Sequence, residues 1–196
     1  MRPRDENKID QLREKAIETI ARKGIEGLSM QKLAKDAGVS PATIYIYFKN
    51  REDMLQQLYQ VVEQTFTTAM LDGFDPEMSF RDGLWLQWKN RLQFVEKHPH
   101  YQKFFEQFST SPCGPDARSQ MLGFKKAMRT FVLRAQERGE IIKLQPELFW
   151  SIAYGPFYSL LRFHTGEKVM MNTDFRLTET SMRKVFACVL AALEPR

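Results

Sequence analysis

Cysteine, histidine and long apolar runs are scarce in this chain, and each scarcity closes off a class of function. Two cysteines, Cys113 and Cys188, are too few for a disulfide framework, and a cytosolic protein keeps such thiols reduced. The three histidines include a His98-Pro99-His100 pair beside Glu96. Helical metal sites space their ligands i, i+3 or i, i+4, so these read as surface histidines and no metal site is expected. There is no Gly-rich phosphate loop, and no Ser/His/Asp or Cys/His set suited to nucleophilic catalysis. The expectation is a protein that is not an enzyme and needs no cofactor. No apolar run approaches the roughly 20 residues of a membrane span. The opening Met1-Arg2-Pro3-Arg4-Asp5-Glu6-Asn7 is charged, with no apolar stretch behind it of the kind a signal peptide carries. A cytoplasmic chain without a membrane partner follows as the expectation. Strand-like alternation is scarce as well, and no internal repeat is present.

What is present is a helical composition. With 43% hydrophobic and 27% charged residues, the 196-residue chain can bury a core and is not disordered. The net charge of +5 favours polyanions, but mildly. Residues 1–55 hold 11 Lys and Arg against 9 Asp and Glu, a net of +2, so overall charge does not single out this end. Residues 29–51 are more telling, with Lys32, Lys35, Lys49 and Arg51 against Asp36 alone.

Apolar residues recur with a 3.6 period in about nine segments. The first, over 7–23, carries Ile9, Leu12, Ala16, Ile17 and Ile20 and stops at Gly24. A second is capped by Ser29 and ends at Gly38; a short third is capped by Ser40 with Pro41 at its first position. The fourth begins at Asn50, has Glu52 and Asp53 where the helix dipole favours acids, and runs to about Leu71. Gly73 to Pro76 form a loop, and Ser79 with Asp82 resembles a capping box for the next helix. Further helices carry Tyr101 to Phe108, Met121 to Ala135, Pro146 to His164, and Met182 to Leu193.

Two short helices meeting at a tight glycine turn, docked on a third, have helix-turn-helix geometry. The second helix of such a pair enters the major groove, which at about 12 Å wide admits one helix. The order Ala37-Gly38-Val39-Ser40, Thr43, Ile44-Tyr45, Tyr47-Phe48, Lys49, Arg51 and Leu55, behind a helix ending at Gly24 with Gly27 close by, resembles the TetR family of bacterial transcriptional regulators. The likeness spans residues 7–55; beyond it, only length and helix pattern match.

The resemblance implies an all-α protein with a helix-turn-helix DNA-binding domain at 1–55 and a helical bundle at 56–196 for ligand sensing and dimerisation. It implies that Thr43 and Tyr47 donate hydroxyl hydrogen bonds to phosphates and that Arg51 binds the DNA backbone. Pro41, Ala42 and Tyr45 would face the bases. Pro41 and Ala42 suit thymine methyls rather than bidentate hydrogen bonds. Ile46 stands where the family often has an aromatic or polar residue, so specificity would lean on Tyr45, Lys32, Gln31 and DNA shape. Ser29, Ser40 and Lys49 complete the expected contact set. Ile44 and Phe48 read as core.

The resemblance also implies a small-molecule effector inside the bundle, a double-stranded DNA operator and a homodimer. Aromatic and thioether residues recur there at helical spacing; most read as core, but such centres also host apolar ligands. The expected ligand-binding set is Trp88, Arg91, Phe105, Phe108, Phe124, Met128, Phe131, Trp150, Tyr154 and Tyr158. The helix from Pro146 is apolar almost all round and must be covered on two sides, by its own core and a partner or by a monomeric bundle. Phe149, Ile152, Ala153, Phe157, Leu160, Met182, Phe186, Val189 and Leu190 are the expected dimer residues. A competing reading is an interaction module whose helix-turn-helix is only structural; the polar and basic cluster Thr43, Tyr47, Lys49 and Arg51 argues against it.

Overall fold

The computed structural model describes residues 3–109, 111, 121–166 and 175–195, with side chains described from Lys8 onward, Ser109 excepted. Cys113 lies outside the described residues. All regular structure among the described residues is helical: α1 (Pro3–Lys23), a 3-10 turn (Ile25–Gly27), α2 (Met30–Asp36), α3 (Pro41–Tyr47), α4 (Arg51–Leu71), α5 (Phe80–Lys97), α6 (Tyr101–Ser109), α7 (Leu122–Glu137), α8 (Pro146–His164) and α9 (Glu179–Leu193). None of these helices is long and apolar enough to cross a membrane. Helix α1 starts earlier than its apolar stripe predicts, at Pro3 rather than near residue 7. The stripe begins at Ile9 and carries no signal for the turn before it, where a proline is tolerated at the first helical position.

The chain forms two compact units, one of Met1–Ala69 with Gln93–Leu122 and one of Met70–Leu92 with Gly123–Arg196. In the first, α1 packs on α6 and α2, and α2 packs on α3. Leu12, Ala16, Ile17 and Ile20 are buried along α1, with Leu33, Ala34, Ile44, Phe48, Leu55 and Leu58 from the following helices. Gly24, at φ 74°, takes the left-handed conformation that stops α1. Tyr101 of α6 donates a hydrogen bond from its hydroxyl to Glu14 of α1. Tyr59 stacks on Phe105 and Phe108, at centroid distances of 5.5 and 5.0 Å.

In the second unit α8 and α9 pack together. Thr178 and Ser181 form a full capping box at the start of α9, and Ile142 N–H donates to the Leu193 carbonyl at its end, at 2.9 Å. Ser79 caps α5 by accepting from Asp82 N–H at 3.1 Å, and its hydroxyl donates to the Asp82 carboxylate at 2.7 Å. Aromatic rings fill the centre. Phe131 stacks on Phe80 and meets Phe74 edge-on, while Trp88 packs against Phe157 and Phe186.

The Phe131 ring sits directly over Gly83 in α5, so a Cβ there would meet ring carbons well inside contact distance. Alanine would gain about 1 kcal/mol of helix propensity, but overpacking a core costs about 1–3 kcal/mol. Gly83→Ala should therefore lower the thermal unfolding midpoint. Gly123→Ala in α7, where a Cβ meets nothing, should leave it equal or higher. A higher midpoint for Gly83→Ala would mean that the ring is not seated on the glycine.

Candidate functional site

Two local devices build the surface formed by α2 and α3. Ser29 caps α2, accepting from Lys32 N–H at 3.5 Å, and Met30, Leu33 and Ala34 turn inward. Gly38, at φ 66°, makes the turn, with Val39 N–H returning to the Ala34 carbonyl at 2.9 Å. Ser40 then caps α3, accepting from Thr43 N–H at 3.2 Å, and its hydroxyl lies 2.9 Å from that of Thr43. Ile44 is fully buried and Phe48 nearly so. The opposite side of α3 follows necessarily from the helical period: Pro41, Ala42, Tyr45 and Ile46 are exposed, Ile46 by 76%. Ser29, Gln31, Lys32, Ser40 and Lys49 are exposed as well, and Thr43 and Tyr47 are half-buried at the edge.

The α3–α4 junction is held by Asp53. Its carboxylate accepts from Lys49 N–H at 2.8 Å and from the Gln57 amide at 3.1 Å, and its own N–H donates to the Asn50 side chain at 2.8 Å. Arg51, expected at the DNA backbone, also has partners within the chain. Its Nη2 donates to the Ile25 carbonyl at 2.7 Å and lies 3.4 Å from the Glu26 carboxylate, so in the DNA-free protein it clamps the 3-10 turn after α1. A residue 26 positions away cannot be read as its partner from local pattern.

The expected ligand residues separate. Phe105 and Phe108 belong to the first unit, on Tyr59. The other eight belong to the second. Of these, Phe131 and Met128 are core packing, and Trp88 donates its indole N–H to the Ala153 carbonyl at 3.0 Å. Phe124, Trp150, Tyr154 and Tyr158 gather around the buried Arg91. Sequence reasoning missed Gln87 and Asn90, both buried. Gln87 donates to the Met70 carbonyl at 2.7 Å and Asn90 to the Asp72 carbonyl at 2.9 Å, satisfying the end of α4. The available signal was a polar trio, Gln87, Asn90 and Arg91, at i, i+3, i+4 within an otherwise apolar helix stripe.

Of the expected dimer residues, Phe149, Ala153, Phe157, Met182, Phe186 and Val189 are buried within the single chain. Ile152, Leu160 and Leu190 are partly exposed. Neither His98 nor His100 joins a metal-ligand cluster, and no group of three His, Cys, Asp or Glu gathers as one among the described residues. His98 packs instead on Tyr101 at 4.6 Å, where burial lowers its pKa.

A helix-turn-helix with a buried back and an exposed reading face defines a DNA-binding regulator. Residues 12–58 match the family model for bacterial regulatory proteins of the tetR family. An HTH-type transcriptional regulator of Haemophilus influenzae is 29% identical over 134 residues, covering 68% of this chain and 71% of that protein. The HTH-type transcriptional regulator LuxR of Vibrio harveyi is 26% identical over 159 residues, covering 76% and 75%. A crystal structure of a TetR family transcription regulator from Marinobacter aquaeolei superposes with a TM-score of 0.83 at 27% identity, covering both chains in full. Residues 12–58 thus carry the helix-turn-helix of the tetR family, and the relatives and fold of the chain are those of DNA-binding transcriptional regulators rather than enzymes.

The Arg51 clamp gives a distinct expectation. A hydrogen bond from a charged group contributes about 1.5–3 kcal/mol, so Arg51→Ala should lower the unfolding midpoint of the DNA-free protein. Tyr47→Phe, which removes only the hydroxyl of a half-buried residue, should not. Equal midpoints for wild type and Arg51→Ala would show that the clamp is not formed in solution.

Proposed function

We propose that the chain is a homodimeric repressor that holds a palindromic operator and releases it when a small, partly apolar effector binds the C-terminal bundle. In this reading residues 1–55 are the reading head, and residues 56–196 sense the effector and dimerise. The observation that carries it is the outer face of α3, where Tyr45 and Ile46 stand 53% and 76% exposed on a helix whose other side is core. Large apolar side chains held outward on a seven-residue helix suit contact with base edges. Thr43, Tyr47 and Lys49 flank them as phosphate contacts. Gln31, Lys32 and Ser29 extend the contact surface along α2. Arg51 holds the turn behind it and adds charge at the DNA backbone.

The outward-facing Ile152, Leu160 and Leu190 support a second subunit against α8 and α9, because their neighbours already fill the chain's own core. Effector coupling runs through α4, which contributes residues to both compact units. A ligand shifts the DNA-bound population only through unequal affinity for the two arrangements.

The test is binding to DNA from upstream of the protein's own gene at two salt concentrations. Sequence-specific binding that weakens as salt rises is expected, since cations released from phosphates drive it. Tyr47→Phe should cost about fivefold, the worth of one hydrogen bond of about 1 kcal/mol. Binding that ignores sequence would overturn the reading and favour the interaction module. The operator so found permits a finer test. Replacing each thymine by deoxyuridine removes one methyl, worth about 0.8 kcal/mol or about fourfold when buried. At least one position should show this loss, and Ile46→Ala or Tyr45→Ala should abolish it. Indifference of every thymine to the change would show that α3 does not read methyl groups.

A further inference from the structure

Helix α3 ends at Tyr47 and α4 begins at Arg51, so Phe48, Lys49 and Asn50 form the corner between them. Backbone outside a helix is not placed by the helical repeat; it stands where its N–H and C=O groups find partners. Phe48 N–H returns to the Ile44 carbonyl at 3.0 Å. The next two groups reach across to α4. Lys49 N–H donates to Oδ2 of Asp53 at 2.8 Å, and the Tyr47 carbonyl accepts from Nε2 of Gln57 at 3.3 Å. Nε2 of Gln57 also donates to that same Oδ2, at 3.1 Å. One carboxylate oxygen therefore ties the backbone that carries Tyr47 and Lys49 to the first two turns of α4.

The start of α4 does not depend on this oxygen. Asn50 Oδ1 accepts from Asp53 N–H at 2.8 Å, and Met54 N–H returns to the Asn50 carbonyl at 3.1 Å. Both donors are backbone groups, so the cap of α4 survives a change of the Asp53 side chain. The charge of Asp53 has a separate effect. An acid beside a surface that meets phosphates works against binding, and Asp53 is only half-buried. Its oxygen and its charge thus act in opposite directions.

We propose that Asp53 and Gln57 are positioning residues for operator binding, and that Asp53 strengthens the grip on DNA through Oδ2 against the effect of its own charge. This rests on the operator reading above and adds two residues from outside the contact set. They touch no DNA; they fix where the Tyr47 hydroxyl and the Lys49 ammonium stand before DNA arrives. Without Oδ2 the Lys49 N–H turns to water, Gln57 keeps one of its two bonds, and the corner must be ordered on binding at a cost in affinity. Because both bonds end on one oxygen, a carboxamide can supply it. Asp53→Asn keeps the acceptor and drops the charge, whereas Asp53→Ala drops both. The two variants carry equal charge, so a difference between them reports the acceptor.

The experiment measures operator affinity of the full chain at several salt concentrations, below the unfolding midpoint of every variant. Amide hydrogen exchange at Lys49 is followed by NMR in the DNA-free protein. Asp53→Asn should bind the operator at least as tightly as wild type. Asp53→Ala should bind about fivefold more weakly than wild type, the worth of one hydrogen bond. Gln57→Ala should show a similar loss, and it answers the question if Asp53→Ala fails to fold. The slope of log affinity against log salt should be shallower for Asp53→Ala than for Asp53→Asn by about 0.9, one phosphate contact, as Lys49 loses its place. In the Asp53→Ala background Tyr47→Phe should cost less than it does in wild type, since effects at coupled groups do not add. The Lys49 amide should exchange slowly in wild type and Asp53→Asn and quickly in Asp53→Ala. Charge acting by itself predicts both Asp53 variants equally tight and tighter than wild type, and that result overturns the proposal. A role confined to folding lowers the unfolding midpoint of Asp53→Ala while its affinity and salt slope match those of Asp53→Asn, which overturns it as well. Fast exchange at Lys49 in wild type overturns it without reference to DNA. Wild-type binding that ignores sequence overturns the operator reading and this proposal with it. Specific wild-type binding with the two Asp53 variants equal overturns this proposal and leaves the operator reading standing.

Discussion

The recognition surface depends on the burial of two side chains, Ile44 and Phe48. Helix α3 has seven residues, far fewer than the roughly 12–15 at which an isolated helix is even marginal in water. It therefore exists only because these two residues, 0% and 1% exposed, anchor it in the core of its unit. Their spacing of four positions also fixes its rotation. With Ile44 and Phe48 inward, Pro41, Ala42, Tyr45 and Ile46 have no direction left but outward. The Ser40 cap at one end and the Asp53 bonds at the other then close the segment.

The second unit is organised by the opposite choice, polar groups taken into an apolar centre. Gln87, Asn90 and Arg91 occupy one stretch of α5 and are all buried. Gln87 bonds in two directions, to the Met70 carbonyl at the end of α4 and to Arg91 on its own helix. A buried network of this kind raises the cost of any misplacement, because a half-satisfied polar group is worse than an apolar one. It specifies one arrangement of α5 more sharply than the surrounding rings do.

What was legible beforehand follows the range of each interaction. Helix limits set by Ser29, Gly38, Ser40 and Gly24 lie within a few residues of their cause, and the helices among the described residues follow from them and from the apolar period. The TetR-family resemblance, carried on the residues from Gly24 to Leu55, is matched by the family model and by a full-length structural neighbour. Long-range facts were not legible. That Arg51 turns to the Ile25 carbonyl, that Phe105 and Phe108 stack on Tyr59, and that Gln87 reaches Met70 all depend on where distant segments fold. Periodicity marks a face as buried but does not say what covers it. Phe149, Phe157 and Phe186 read from pattern as buried; that their rings lie on Phe80 and Trp88 could not be read there. The interior Pro156 of α8 gave no warning either, since the apolar pattern runs through it unbroken.

The two amides that close the end of α4 have a geometric consequence. Met70 and Asp72 are pinned by Gln87 and Asn90, so the last turn of this 21-residue helix has a fixed bearing. At 1.5 Å per residue the helix is about 30 Å long. A rod of that length turning on one end moves the other by about 0.5 Å for each degree. A reorientation of about five degrees at Met70 thus becomes a shift of about 2.6 Å at Arg51, close to the 3.4 Å spacing of successive base pairs. The effector coupling proposed above would therefore need only a small adjustment of two amide side chains.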